Sequence, residues 1–109
     1  MKYLVTAGSG PAIFSETEMV DILENIILPS FDIFLKLESE GKILGGGLPI
    51  GERAFVFIIE ADSNEALDRI LRNIPAWPVL EWTVSPLQSF KGRATQDREL
   101  MQKMKSRSS

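Results

Sequence analysis

Residues 53–61, Arg53-Ala54-Phe55-Val56-Phe57-Ile58-Ile59-Glu60-Ala61, form a run in which both alternating sets of side chains are apolar. In an extended chain Phe55, Phe57 and Ile59 point one way, and Ala54, Val56 and Ile58 point the other. Such a strand needs cover on both faces. A chain of 109 residues, 44% of them hydrophobic, has enough apolar material for one domain with its own core. Two helices from that chain shield one face of a four-stranded sheet and leave the second bare. Each large apolar side chain left there forgoes roughly 1.5–3 kcal/mol of burial, and few monomers tolerate such a patch. The expected solution is a homodimer or larger assembly in which two sheets pack face to face, because twofold symmetry lets one surface satisfy itself.

The remaining segments read as the elements of that sheet. Lys2-Tyr3-Leu4-Val5-Thr6-Ala7 is rich in β-branched and aromatic residues and ends at the turn formers Gly8-Ser9-Gly10-Pro11, which marks a first strand. From about Glu16 the period changes, and Met19, Leu23, Ile26 and Ile27 recur on one helical stripe among Glu18, Asp21 and Glu24. Pro29 lacks an amide donor, so the helix is expected to kink or restart at Ser30, a good N-cap. Phe31, Phe34, Leu35 and Leu37 continue it to Glu40-Gly41.

Lys42-Ile43-Leu44 reads as a short strand running into Gly45-Gly46-Gly47, a stretch too flexible for a strand interior. A triple glycine can cradle a phosphate, but the lysine and the helix that should follow are absent here, which favours a hairpin or bulge. Ser63, with Asp62 as a competing cap, opens a second helix whose stripe is Leu67, Ile70, Leu71 and Ile74. Pro75 and Pro78 close it around Trp77, and a last strand runs from Val79 to Val84. The order is β-α-β-β-α-β, an α+β domain of ferredoxin-like type over residues 1–90. A polar, basic extension follows over 91–109, with helical potential around Leu100, Met101 and Met104.

What the chain lacks narrows its chemistry. Without cysteine there is no disulfide framework, thiolate metal site or thiol nucleophile. Without histidine the commonest general base and transition-metal ligand is gone, so catalysis must rest on Asp, Glu, Lys, Tyr, Arg or a bound cofactor. The net charge of −3 is unevenly spread: residues 91–109 carry six Lys/Arg against two Asp/Glu, and the remainder six against thirteen. A basic tail can meet nucleic acid, yet the acidic body repels a phosphate backbone, and a solubilising tail is the plainer reading. With no apolar run of about eighteen residues and no secretory pattern at the N-terminus, a cytoplasmic protein without a membrane partner is expected.

From about Leu28 to Leu87 the chain resembles the muconolactone isomerase-like branch of the dimeric α+β barrel proteins. The resemblance is carried by Glu40-Gly41 after a long helix, Gly51 and Ala54 at the start of the third strand, and Ala61-Asp62-Ser63 followed by Glu65-Ala66-Leu67. It continues in Ile74-Pro75-Ala76-Trp77-Pro78 and Val84-Ser85-Pro86-Leu87. The resemblance implies two ferredoxin-like sheets joined in a barrel, assembly beyond the monomer, and a small-molecule cavity between sheet and helices. It also implies the movement of a double bond by a proton shift without a cofactor. The chain departs from the family in chemistry: where members carry histidine-bearing strands and a basic residue before the glycine of strand three, it has Leu48-Pro49-Ile50-Gly51.

Candidate site residues follow from both readings. Tyr3, Phe34, Phe55, Phe57 and Trp82 are candidates for an aromatic pocket, with plain core as the alternative. Such a pocket suits a larger apolar ligand better than a charged lactone acid. Glu38, one turn after Phe34, would aim a carboxylate at the pocket mouth as a proton shuttle, or stand as a solvated surface residue. Glu60 and Glu81 lie among apolar or uncharged strand neighbours, where partial burial would adapt them to acid–base work. Arg53 could hold a ligand carboxylate or pair with an acid across a dimer. Two functions remain open, a cofactor-independent isomerase-like enzyme acting on a small cyclic or aromatic metabolite and a non-catalytic oligomeric binding module.

Overall fold

A computed structural model of the chain describes residues 1–10 and 12–108. Strands β1 (Lys2–Gly8), β2 (Ile43–Gly47), β3 (Ala54–Glu60) and β4 (Glu81–Leu87) form one antiparallel sheet in the order β2-β3-β1-β4. Helices α1 (Glu16–Ile22), α2 (Leu28–Ser39) and α3 (Asn64–Arg72) fill the two crossovers, and α4 (Phe90–Ser108) follows the last strand. The expected β-α-β-β-α-β order is therefore the observed one.

Alternation along β3 decides the layers. Val5 lies opposite Phe57 in one register and Val84 in the other, so the buried set Tyr3, Val5, Phe55, Phe57 and Ile59 shares the helix-covered face. Leu37 of α2, Leu67 and Leu71 of α3 and Ile74 close that core from above. Leu4, Thr6, Val56 and Ile58 face the other way and remain half-buried, with Ser85 exposed beside them and no described element across that face.

Local chemistry explains the helix ends. Ser15 caps α1 with a reciprocal box: Glu18 N–H donates to Ser15 Oγ at 3.1 Å, and Ser15 N–H to Glu18 Oε1 at 3.3 Å. Ser63, rather than Asp62, caps α3, accepting from Ala66 N–H at 3.1 Å.

Ser30 does not restart the helix. The chain runs from α1 into α2 through a π-helical turn over Leu23–Ile27, and Pro29 falls in the first turn of α2, where a missing N–H is tolerated. Ser30 is instead fully buried; its hydroxyl donates to Ile26 O at 2.6 Å and accepts from Ala76 N–H at 3.0 Å. It pins α2 to the turn after α3.

The glycines form the expected bulged hairpin, but they are also strand interior, since β2 extends through Gly47. Gly46 adopts φ +140° and lies so close to β3 that a Cβ there would stand 2.6 Å from Phe57 Cα and closer still to Val56 O. Flexibility is thus not a defect of the strand but the condition for its pairing, reached through an irregularity between Ile43 and Gly45. Gly46→Ala should therefore lower stability by about 3 kcal/mol in urea unfolding. Gly45→Ala, with open space at its Cβ, should change it far less; equal effects would refute this account of the hairpin.

Candidate functional site

Four aromatic rings meet where α2 crosses the β2–β3 hairpin. Phe31 and Phe34, three residues apart on α2, face Phe55 and Phe57, two residues apart on β3. The Phe31–Phe55 centroids are 5.6 Å apart in an edge-on pair, and Phe34 lies 4.9 Å from Phe55 and 5.3 Å from Phe57. These rings line a cleft of about 140 Å³ together with Gly46 and Gly47, and the exposed Leu48 and Glu38 stand at its rim. A volume near 150 Å³ accepts a single benzene-sized ring, so the cleft is smaller than the larger apolar ligand expected from the aromatic count.

Glu38 is exposed, one turn beyond Phe34, and is the sole titratable side chain on the cleft wall. Among the described residues no lysine, arginine or histidine lines the cleft. The arrangement sets one exposed carboxylate beside an apolar, ring-sized space. Among the described residues no group of three metal-ligating side chains is brought together.

The other candidates lie elsewhere. Tyr3 is buried at the far end of β1, where its hydroxyl donates to Asn64 Oδ1 at 2.6 Å beside α3. Trp82 lies in register with Ala7 and so with Phe55, two strands or roughly 9.6 Å away. Its indole N–H donates to Trp77 O at 3.0 Å, a packing role. Arg53 lies over the Phe14 ring at 5.5 Å and donates to Ala12 O at 3.1 Å, on the β1–α1 connection.

The expected partial burial of Glu60 and Glu81 is not met. Both are exposed because each terminates a strand on the uncovered face, Glu60 opposite Lys2 and Glu81 opposite Gly8, at opposite ends of β1. Neither shares a site with Glu38. Phe31, Gly46 and Gly47 also line the cleft, and the i, i+3 spacing of Phe31 and Phe34 is the sequence signal for the first of them.

A family profile described as muconolactone delta-isomerase matches residues 14–92. Among solved structures, the fold is similar to a muconolactone isomerase crystal structure with TM-score 0.65 and 19% identity, over 82% of this chain and 90% of that one. It is also similar to 5-chloro-2-hydroxyhydroquinone dehydrochlorinase (TftG) from Burkholderia phenoliruptrix AC1100, in complex with 2,5-dihydroxybenzoquinone. That match has TM-score 0.59 and 19% identity, over 84% of this chain and 97% of that one. No curated protein sequence matches.

The ring cluster and the rim carboxylate should separate cleanly in stability measurements. Phe34→Ala, which removes two ring contacts, is expected to cost about 3 kcal/mol. Glu38→Gln, at an exposed position, should stay within about 0.5 kcal/mol. A large loss of stability in Glu38→Gln would mean that Glu38 is structural and not a free rim group.

Proposed function

We propose, since the chain belongs to the muconolactone delta-isomerase family, that it is a cofactor-independent enzyme that relocates a double bond in a small cyclic metabolite by proton transfer through Glu38. The observation that carries this reading is Glu38 at the rim of a ring-sized aromatic cleft. A ring ketone or lactone with an unconjugated double bond would insert its apolar edge between Phe34 and Phe55. The Glu38 carboxylate takes the proton from the carbon between carbonyl and alkene, and that C–H electron pair flows into the carbonyl to form a dienolate. Returning the same proton to the far alkene carbon restores the carbonyl and leaves the double bond conjugated. Atoms and electrons balance with no oxidant, reductant or cofactor.

The wall, apolar apart from Glu38, supports an uncharged substrate, because a ring carboxylate would meet Glu38 with no cation beside it. A quinone ligand in the dehydrochlorinase relative is in keeping with a small ring of this size. The alternative, a non-catalytic oligomeric ligand-binding or assembly module, would leave the cleft without turnover, and the rate comparison below separates the two.

Self-association belongs to the same proposal. The half-buried Leu4, Val56 and Ile58 form an apolar sheet face that a second copy would cover by sheet-to-sheet packing. Val56→Lys should convert the assembly to monomers in sedimentation at micromolar concentration, with native-like circular dichroism. An assembly unaffected by that charge would remove the sheet face from the interface.

For the chemistry, 3-cyclohexen-1-one is a neutral probe of the right size, and its conjugation to 2-cyclohexen-1-one is followed in the ultraviolet. Wild type should accelerate the conversion, and Glu38→Gln should slow it by about 100-fold or more, with no comparable change for Glu60→Gln or Glu81→Gln. A rate that is indifferent to Glu38→Gln would end the mechanism.

A further inference from the structure

The β2–β3 hairpin carries an apolar tip beside the cleft. Between Gly47, the last residue of β2, and Gly51 the chain reads Leu48-Pro49-Ile50. Ile50 is fully exposed and Leu48 largely so. Turn chemistry does not ask for these residues, since tight turns are served by Gly, Asn, Asp and Ser, and an isoleucine held in water is a cost that some contact should offset. Leu48 and Gly47 both line the aromatic cleft, so the tip is rooted on the cleft wall itself.

The backbone on either side of the tip is free to turn, and the backbone beneath it is not. Gly46 is clamped against β3, with Val56 O and Phe57 Cα too close for any side chain. Gly47, the next residue, has open space at its Cβ position, and so does Gly51, which takes φ +80°. A turn bond from Glu52 N–H to Pro49 O at 3.2 Å closes the outer end. Leu48–Ile50 is thus a short apolar piece, stiffened by Pro49, between two glycine joints and above a fixed point. Joints of that kind let a few residues swing while the elements that carry them stay still.

Across the cleft stands Leu35 of α2, exposed and on the same wall as Glu38. Three extended residues from Gly47 to Ile50 reach roughly 10 Å, enough to cross a space that holds one ring. We propose that Leu48-Pro49-Ile50 is a flap that folds over a neutral ring bound in the cleft and seats Ile50 against Leu35. The inference rests on the cleft being the ligand site of the proposed function. The bound ring is what favours closure, because it raises the apolar floor to meet Ile50 and both surfaces lose water together. Closure also shields the proton in transit at Glu38 from exchange with bulk water. A ring bearing a charge or hydroxyl on its outer edge would leave that group unpaired beneath Ile50, so the flap selects rings that are apolar on that edge.

The chain has no native cysteine, so the closed contact can be trapped in the full protein. A disulfide needs Cα atoms within about 7 Å of one another. Leu35→Cys/Ile50→Cys protein, altered only at exposed positions, should form one within a single chain under mild oxidation. Cyclohexanone, a saturated neutral ring that cannot be conjugated, should speed its formation about tenfold or more. Oxidised around cyclohexanone, the protein should release it about tenfold more slowly than after reduction. Ile13→Cys/Ile50→Cys is the control, because Ile13 is fully exposed on the β1–α1 connection and offers the tip another apolar neighbour. The flap is overturned by absent trapping, by trapping indifferent to cyclohexanone, by release indifferent to oxidation, or by equal acceleration in the control. Cyclohexanone-dependent trapping without any conversion of 3-cyclohexen-1-one by wild type upholds the flap and ends the isomerase reading; conversion without trapping does the reverse.

Discussion

Strand β3 sets the layers of this molecule because it is apolar on both sides. Phe55, Phe57 and Ile59 are buried under the helices, while Ala54, Val56 and Ile58 look out from the opposite face half-covered. The inward set organises the core: it receives Leu37 from α2 and Leu67 and Leu71 from α3, and it supplies two of the four rings around the cleft. Among the described residues the outward set has no such partner, and it is the physical reason a second copy enters the proposed function. One strand therefore links the packing of the subunit to the chemistry proposed for it.

Two devices hold α2 where the cleft needs it. The π-helical turn before Pro29 lets one long helical segment pass the proline, so that Phe31 and Phe34 reach β3. The buried Ser30 hydroxyl then ties α2 to Ala76 N–H, beyond α3, with both its donor and its acceptor capacity used. On the opposite wall, Gly46 brings β2 against β3 at a distance no side chain would permit. Helix, pin and glycine together give the cleft its width, and the rim carboxylate of Glu38 rides on the same helix one turn further along.

The strands and α3 were readable because their information is local. Alternation in residues 53–61 and the Ser63 cap with its Leu67, Leu71 stripe each lie within a few residues. Local pattern is insufficient where a residue's role depends on something distant in sequence. Ser30 looks like a cap until Ala76 arrives beside it, and Gly45-Gly46-Gly47 reads as a hairpin or bulge without showing that Gly46 pairs within the strand. Glu60 and Glu81 look sheltered by their strand neighbours, but at strand ends on the face away from the helices they are exposed in the single subunit.

Order and type of elements, the presence of an apolar excess on the sheet, and the lack of imidazole and thiol chemistry were all settled by residue pattern and composition, since periodicity and side-chain inventory need no third dimension. Folding assigned the partners. It separated Tyr3, Trp82 and Arg53 from the aromatic cluster, joined Phe31 to Phe34, Phe55 and Phe57, and set Glu38 at their rim. Those juxtapositions arise from register across strands and from the angle at which a helix crosses a sheet, and neither quantity is written in any short stretch of chain.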